Sequence, residues 1–213
     1  MVILSKTLRE TILENLKNQA EYRFSASVVE YFTLIEDLEA TEVNVEFNGK
    51  EIITYTSQAT EKHELIVGNL VGNIYIQLLK QGYEEYRVYG SNRPVYATEC
   101  QKGFNADVLV VKGATELYPR ERQVAATLNP RIVIEVLSNS NEGIGFLEKT
   151  NCYKKIASLQ QILLVNQYEP KISSYTRIDE NEWLNHEYEG LGKNIKIEDF
   201  TLSVSDIYRN VFE

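Results

Sequence analysis

Two short apolar runs, each carrying one acidic residue, constrain the fold of this chain most strongly. The first is FNADVLVVKG at residues 104–113, where Asp107 stands directly before four apolar residues; the second is PRIVIEVLSNS at residues 130–140, which contains Glu135. Runs of this length and β-branched composition are typical of strands buried inside a sheet. Acidic residues are poor strand formers, and a buried carboxylate needs a partner. The two acids therefore predict a shared chemical role.

The alternation of side chains along a strand assigns each acid to one face of its strand. If the two strands are neighbours, the carboxylates of Asp107 and Glu135 can lie within a few ångströms of each other. Two unpaired carboxylates that close repel and raise one pKa, and a divalent cation removes the repulsion. Mg²⁺ accepts carboxylates, backbone carbonyls and waters. Asp107, Glu135 and a main-chain carbonyl such as that of Val136 therefore predict a site for Mg²⁺, with Mn²⁺ as the alternative ion.

Residues 146–158, FLEKTNCYKKIAS, predict a helix on which Lys149 and Tyr153 lie four residues apart and share a face. A lysine beside a metal site can polarise an attacking water or stabilise the charge of a phosphorane. It can also simply balance the two carboxylates, so the spacing alone leaves both roles open.

Each of these residues also has a plain structural interpretation. Asp107 can cap the start of a strand by a hydrogen bond, and Glu135 can form a structural salt bridge to Arg131 or Lys149. Lys149 can be a solvated helix lysine, and Tyr153 can be a core aromatic with its hydroxyl in water.

The rest of the chain predicts helices at both ends of a run of strands. The first 40 residues predict a helical arm, with helices at 4–19 and 27–38, and the first helix carries a narrow apolar stripe that must cover either the domain or a partner chain. Residues 43–56 alternate around Asn48-Gly49, which predicts a hairpin. This order indicates an α/β or α+β fold with one mixed sheet flanked by helices, in a single domain over residues 1–213.

A third helix is predicted between Thr60, which can cap its start, and Gly82, which ends it. His63 lies on the buried stripe of this helix and Glu64 lies at the border of that stripe. Taken alone, His63 is typical of a packed or capping histidine and Glu64 of an ordinary surface residue. The only other histidine is His186, so the sequence excludes a histidine-rich metal site.

Composition and missing motifs exclude several classes of function. The chain has 22 basic and 31 acidic residues and a net charge of −9, and free polyanion binding usually shows as a basic surplus. Any contact with nucleic acid would therefore need a local basic patch or metal ions. It has no CxxC pair, no GxSxG elbow and no phosphate-binding glycine loop. No stretch of about 18 apolar residues predicts a membrane span, and the N-terminus is unlike a signal peptide. The expectation is a cytoplasmic protein without a membrane partner.

The layout D-V-L-V-V, then I-V-I-E-V-L-S-N-S, then K-T-N-C-Y resembles the PD-(D/E)xK nuclease superfamily. More narrowly, together with VVEYFTL, VEFNGKEII and HELIVGNL upstream, it resembles the Uma-type restriction endonuclease family, long known as the domain of unknown function DUF820. The resemblance runs from about residue 27 to the end. It implies a restriction-endonuclease-like fold, with a mixed central β-sheet between helices, and magnesium-dependent hydrolysis of DNA phosphodiester bonds.

The resemblance also implies roles for individual residues. Asp107 matches the aspartate of the PD motif and Glu135 the acid of the (D/E)xK motif. Lys149 matches a lysine moved onto the following helix, and Tyr153 a tyrosine one turn later. Glu64 would be an additional carboxylate on the metal side.

Three positions depart from the motif. Ala106 replaces the proline of PD, which shapes the backbone without binding metal. Leu137 stands where the motif lysine would be, so Lys149 must substitute for it. Gly145 stands where the family often carries an acid, four residues before this lysine. A nuclease with an incomplete set of catalytic groups is therefore the main alternative: a module that binds nucleic acid or protein without cleavage.

A second alternative is a hydrolase that acts on sugars with two carboxylates about 5–10 Å apart and no metal, although the chain has only Trp183 for stacking on sugars. We expect a homodimer on two grounds. The apolar stripe of the first helix needs a surface to cover, and cleavage of a duplex needs two sites or two events.

Overall fold

The structure is a computed structural model that describes residues 2–56, 59–90, 93–119, 125–137 and 144–212, without the side chains of residues 2–7, 144 and 145. Contacts group the chain into two compact units. The single domain expected over residues 1–213 stays a prediction. The first unit comprises Met1–Gln58, Pro94–Asn105 and Glu116–Leu128, and the second comprises Ala59–Arg93, Ala106–Thr115 and Asn129–Glu213.

The described residues contain five α-helices, fifteen strands and one short 3₁₀ helix at Thr98–Cys100. In chain order the elements are α1 (Val2–Asn15), β1 (Glu21–Ser25), α2 (Val28–Asp37), β2 (Val43–Phe47), β3 (Glu51–Thr56), α3 (Glu61–Gln81), β4 (Tyr86–Tyr89), β5 (Arg93–Ala97), β6 (Lys102–Ala106), β7 (Val108–Lys112), β8 (Leu117–Tyr118), β9 (Ala126–Thr127), β10 (Ile132–Leu137), α4 (Ile144–Tyr153), β11 (Gln161–Asn166), β12 (Lys171–Asp179), β13 (Glu182–Glu189), β14 (Asn194–Ile197), β15 (Phe200–Ser203) and α5 (Val204–Ile207).

The first unit contains a seven-stranded sheet in the order β1-β3-β2-β6-β5-β9-β8. Its β2–β3 hairpin confirms the prediction for residues 43–56: the Asn48 side chain accepts hydrogen bonds from the backbone N–H groups of Lys50 and Glu51, and Gly49 takes a φ of +95°. That backbone conformation is open to glycine at little cost. Helix α2 starts with a capping box between Ser27 and Glu30.

The apolar stripe of α1 covers the core of its own unit. Ile12 is completely buried, and Leu8 and Leu16 pack against the same hydrophobic cluster, which α2, β2 and β3 also line. These side chains therefore need no partner chain, and the first ground for expecting a homodimer is met inside the molecule.

The second unit contains a six-stranded sheet in the order β13-β12-β11-β10-β7-β4 and the small β14–β15 sheet. The central strand β10 runs antiparallel to β7 and parallel to β11. Helix α3 is capped by Thr60 at its start and by Gly82 in the left-handed conformation at its end, as predicted. Its buried stripe shares a hydrophobic cluster with one face of β7, β10 and β11.

The mixed α/β architecture with helices flanking a central sheet is confirmed, but several strands lie where the sequence indicated other structure. Residues 21–25 of the predicted helical arm form strand β1. The stretch around Pro94, which reads as irregular, forms β5 at an inner position of the first sheet. The strands consequently divide among three sheets instead of one. Within the described residues, no helix combines the length and apolarity needed to cross a bilayer.

We predict that Gly103→Ala destabilises the first unit by about 1–3 kcal/mol, the usual cost of overpacking a core. A Cβ at Gly103 would come within 3.0 Å of the Tyr31 ring, which is buried and stacks on Phe47. Urea unfolding measures the loss. Gly192→Ala is the control, because a Cβ there meets no atom within 4 Å. An unchanged unfolding free energy for Gly103→Ala would contradict this packing.

Candidate active site on the six-stranded sheet

The pairing of β7 with β10 brings the two strand acids to the same place. The ladder aligns Ile134 with Val108, and one further step along both strands sets Glu135 opposite Asp107. Residues directly opposite in an antiparallel pair project from the same face of the sheet. The two acid-bearing strands are therefore neighbours, which is the condition under which the sequence places the two carboxylates close together.

Asp107 lies at the bend where β6 ends and β7 begins, and both of its carboxylate oxygens are engaged. Oδ2 accepts a hydrogen bond of 2.7 Å from the backbone N–H of Val136, and Oδ1 lies 3.3 Å from Nε2 of His63. The contact with Val136 is the strand cap that the plain interpretation of Asp107 describes. It also fixes the carboxylate beside the end of β10.

Glu135 is 3% exposed, in the middle of the sheet. The ammonium of Lys149 lies 3.0 Å from Oε1 and 3.1 Å from Oε2, and the Tyr153 hydroxyl donates a hydrogen bond of 2.8 Å to Oε1. Helix α4 therefore delivers both side chains to one carboxylate, as their spacing of four residues predicts. Arg131, the other candidate partner of Glu135, instead forms a salt bridge with Glu198.

The electrostatics of the site favour an additional positive charge. Burial raises the pKa of Glu135 most strongly and the charge of Asp107 also raises it, whereas Lys149 and the Tyr153 hydroxyl lower it, and the net result is a pKa of about 7. The Lys149 ammonium contacts Glu135, whereas Asp107 is contacted by the Val136 N–H and the His63 ring. A divalent cation bound beside the two carboxylates would offset the repulsion between them.

His63 supplies a second, titratable positive group. Burial lowers its pKa, but the hydrogen bond with Asp107 and the charges of Asp107 and Glu64 outweigh burial and raise the pKa above its ordinary value. The sequence alone indicated a packed or capping histidine, whereas the structure places the ring directly on a candidate metal ligand. The sequence feature that marks His63 is its place on the buried stripe of α3, one turn before Val67.

Glu64, a candidate catalytic residue, contacts the site through this histidine. Its Oε1 lies 3.3 Å from Nδ1 of His63, and its side chain is 62% exposed. Among the described residues, no group of three or more His, Cys, Asp or Glu side chains is arranged to hold a metal ion. The candidate metal donors therefore remain the two strand carboxylates and the main chain at Val136.

Sequence reasoning missed Gln167, a buried polar residue that supports the site. Its side-chain amide donates a hydrogen bond of 3.0 Å to the Leu137 carbonyl at the end of β10, and its carbonyl accepts one from the Thr60 hydroxyl. The same hydroxyl accepts a hydrogen bond from the His63 backbone N–H. Gln167 therefore links the strand that carries Glu135 to the start of the helix that carries His63.

Known proteins resemble this chain in sequence and in fold. The family model described as "Uma2: Putative restriction endonuclease" matches residues 28–207. A protein of Synechocystis sp. named "Uncharacterized protein sll1609" is 28% identical over 162 residues, which cover 70% of this chain and 89% of that protein. A crystal structure described as "a putative nuclease belonging to DUF820" from Anabaena variabilis superposes with a TM-score of 0.63 at 18% identity, covering 86% of this chain and 97% of that chain. At that identity the likeness shows a shared fold.

We predict that Glu135→Gln changes stability in a pH-dependent way. The folded state holds the Glu135 proton with a pKa of about 7, above the ordinary 4.5. The folded protein therefore binds this proton more tightly than the unfolded chain, and the carboxyl's contribution to stability is present at low pH and falls as the pH rises toward 7. Urea unfolding from about pH 5 to pH 8, with a chelator present, should show the wild type losing free energy of unfolding relative to Glu135→Gln. Glu182→Gln, at an exposed position of β13, is the control. If the difference in unfolding free energy between the wild type and Glu135→Gln did not change with pH, the raised pKa of the buried Glu135 would be contradicted.

We predict that Gln167→Leu lowers the free energy of unfolding by about 1–3 kcal/mol, because it leaves the Leu137 carbonyl and the Thr60 hydroxyl without their partner. Hydrogen exchange of the His63 and Glu64 amides, which Thr60 caps, should accelerate. The matched change Gln81→Leu, at the exposed far end of the same helix, should leave both measurements unchanged. Unaltered exchange in Gln167→Leu would show that the start of α3 is held by other contacts.

Proposed function

The chain belongs to the Uma2 family, and on that premise we propose that it is a divalent-metal-dependent endonuclease that hydrolyses the phosphodiester bonds of DNA. The family match and the nuclease-fold neighbour support a nuclease-like function. One observation about the chain itself carries the proposal: Asp107 stands opposite a buried Glu135 whose two oxygens are held by Lys149 and Tyr153.

The donor set fits a hard divalent cation such as Mg²⁺ or Mn²⁺. Carboxylate and backbone carbonyl oxygens are the ligands that such ions prefer, and Asp107, Glu135 and the Val136 carbonyl supply them at one edge of β10. The raised pKa of Glu135 fits as well, because burial and the charge of Asp107 leave the pair short of positive charge. When bound, the ion would activate water and offset the charge that develops on the phosphate.

Lys149 and Tyr153 act on Glu135 and on the space beside it. The ammonium and the phenol hydroxyl keep the carboxylate in one orientation, so it does not have to be ordered when substrate arrives. We assign to Lys149 the further role of donating a hydrogen bond to the attacking water or to a phosphate oxygen. Its position in this site replaces the motif lysine that Leu137 displaces in the sequence.

Asp107 is oriented by the other two elements of the site. The Val136 N–H and the His63 ring hold its two oxygens from β10 and from α3. Glu64 holds the outer nitrogen of His63, so in this proposal it acts through the histidine and stands at the solvent edge of the site. This is a more peripheral role than that of a metal-side carboxylate.

A second candidate function is a nuclease-fold module that binds nucleic acid or protein without cleavage. The observation that favours it is that every oxygen of Asp107 and Glu135 already has a partner from the chain itself. Titration calorimetry with Mn²⁺ separates the two functions. If the protein is a nuclease, it binds Mn²⁺, and Asp107→Asn and Glu135→Gln each remove that binding. If it is a binding module, neither variant changes the uptake of Mn²⁺.

We predict that Asp107→Asn and Glu135→Gln each reduce Mg²⁺- or Mn²⁺-dependent nicking of supercoiled DNA by at least about 100-fold, because each removes a charge that the transition state needs. Lys149→Met should lose activity and Lys149→Arg should retain part of it. His186→Gln, on β13 of the same sheet, is the control and should cleave like the wild type. Cleavage by Asp107→Asn at the wild-type rate would remove this mechanism.

A further inference from the structure

One face of α3 is apolar, exposed and unexplained by packing within the described residues. Tyr75, Ile76 and Leu79 are 56%, 48% and 61% exposed. The spacing of three and four residues sets them on one side of the helix, opposite the buried stripe that packs on the sheet. Single exposed apolar residues are ordinary, but a contiguous set on one helix face marks a surface that meets another molecule.

Two glycines extend this face toward the start of the helix. Gly68 and Gly72 lie at helix-interior positions four residues apart, where glycine is less stable than alanine. A Cβ at either position would meet no atom within 4 Å, and neither takes a positive φ. Nothing inside the described molecule therefore requires glycine there. Close approach of a second backbone would require it.

We propose that this face, formed by Gly68, Gly72, Tyr75, Ile76 and Leu79, is the interface of a symmetric homodimer in which α3 packs antiparallel on α3 of a second copy. A two-fold axis near Gly72 sets the bulky half of each helix against the glycine half of the other. Tyr75 and Leu79 then pack over Gly68 of the partner subunit. One surface that fits itself in this way is what an isologous dimer needs.

The charges at the two ends of α3 select the same arrangement. Its first turn carries Glu61 and Glu64, and its last turn carries Lys80. Antiparallel packing brings the acidic turn of one copy within side-chain reach of Lys80 of the partner subunit, and it also opposes the two helix dipoles. Parallel packing would instead place Glu61 beside Glu61 of the partner subunit and Lys80 beside Lys80 of the partner subunit, so that like charges face each other.

The size of the face sets the strength of the dimer. A stable interface buries roughly 800 Å² on each partner, and one helix face about three turns long supplies less than that. The dimer is therefore weak, and it forms and dissociates within the micromolar range of concentration. This inference is independent of the proposed nuclease activity, because neither the face nor the variants that test it include a residue of the proposed active site.

Sedimentation velocity of the full chain, from about 5 to 500 µM, tests the proposal over the range in which a weak interface exchanges. The wild type should shift from monomer to dimer across this range. Leu79→Glu should remain monomeric, whereas Leu184→Glu, which charges an equally exposed leucine on β13, should dimerise like the wild type. A monomeric wild type throughout, or a dimer that Leu79→Glu leaves intact, would overturn the proposal.

Three further variants keep the test independent of folding defects. Gly72→Ala should raise the urea midpoint of the monomer, since alanine is the better helix former, and at the same time weaken the dimer at least 10-fold. The charge reversal Lys80→Glu should weaken the dimer, and adding Glu61→Lys should restore it. A Gly72→Ala protein that is stabilised and dimerises normally would show that the glycine face is not the interface. Failure of the double charge reversal to restore the dimer would overturn the antiparallel arrangement.

Discussion

The antiparallel pairing of β7 with β10 is the constraint on which the site depends. It sets Asp107 opposite Glu135, and a slip of one residue in register would turn every side chain of one strand to the other face. Burial of apolar side chains stabilises this pairing. Val108, Val110, Ile132 and Ile134 are buried under α3 in one hydrophobic cluster. The packing on one face of the sheet thus fixes the strand register that brings the two acids together on the other face.

Burial of Glu135 is the main cost that this arrangement carries. Removing a carboxylate from water costs several kcal/mol unless charge and hydrogen bonds offset it, and here Lys149 and Tyr153 offset it only in part, because the pKa of Glu135 remains raised to about 7. A well-packed apolar residue at this position would satisfy the fold. A destabilising polar cluster inside an otherwise apolar sheet is the pattern expected of a functional site.

The sequence predicts those parts of the site that local patterns encode. Apolar runs with embedded acids identify β7 and β10, and a spacing of four residues identifies Lys149 and Tyr153 as neighbours on α4. Gln167 could not be predicted, because its partners Thr60 and Leu137 lie 107 and 30 residues away in the chain and no periodicity marks such a contact. The strand at residues 93–97 was missed for a related reason: its inner position comes from tertiary pairing, which overrides the irregular reading that Pro94 favours.

The proposed nuclease site requires that Asp107 and Glu135 hold one divalent ion between them. Crystals soaked in Mn²⁺ and measured for anomalous scattering test it most directly, because the signal locates the ion without reference to activity. We expect a single strong peak bonded to an oxygen of each carboxylate, and its loss in Asp107→Asn crystals. A peak bonded to only one of the two acids, or no peak in a soak that saturates other manganese sites, would contradict it.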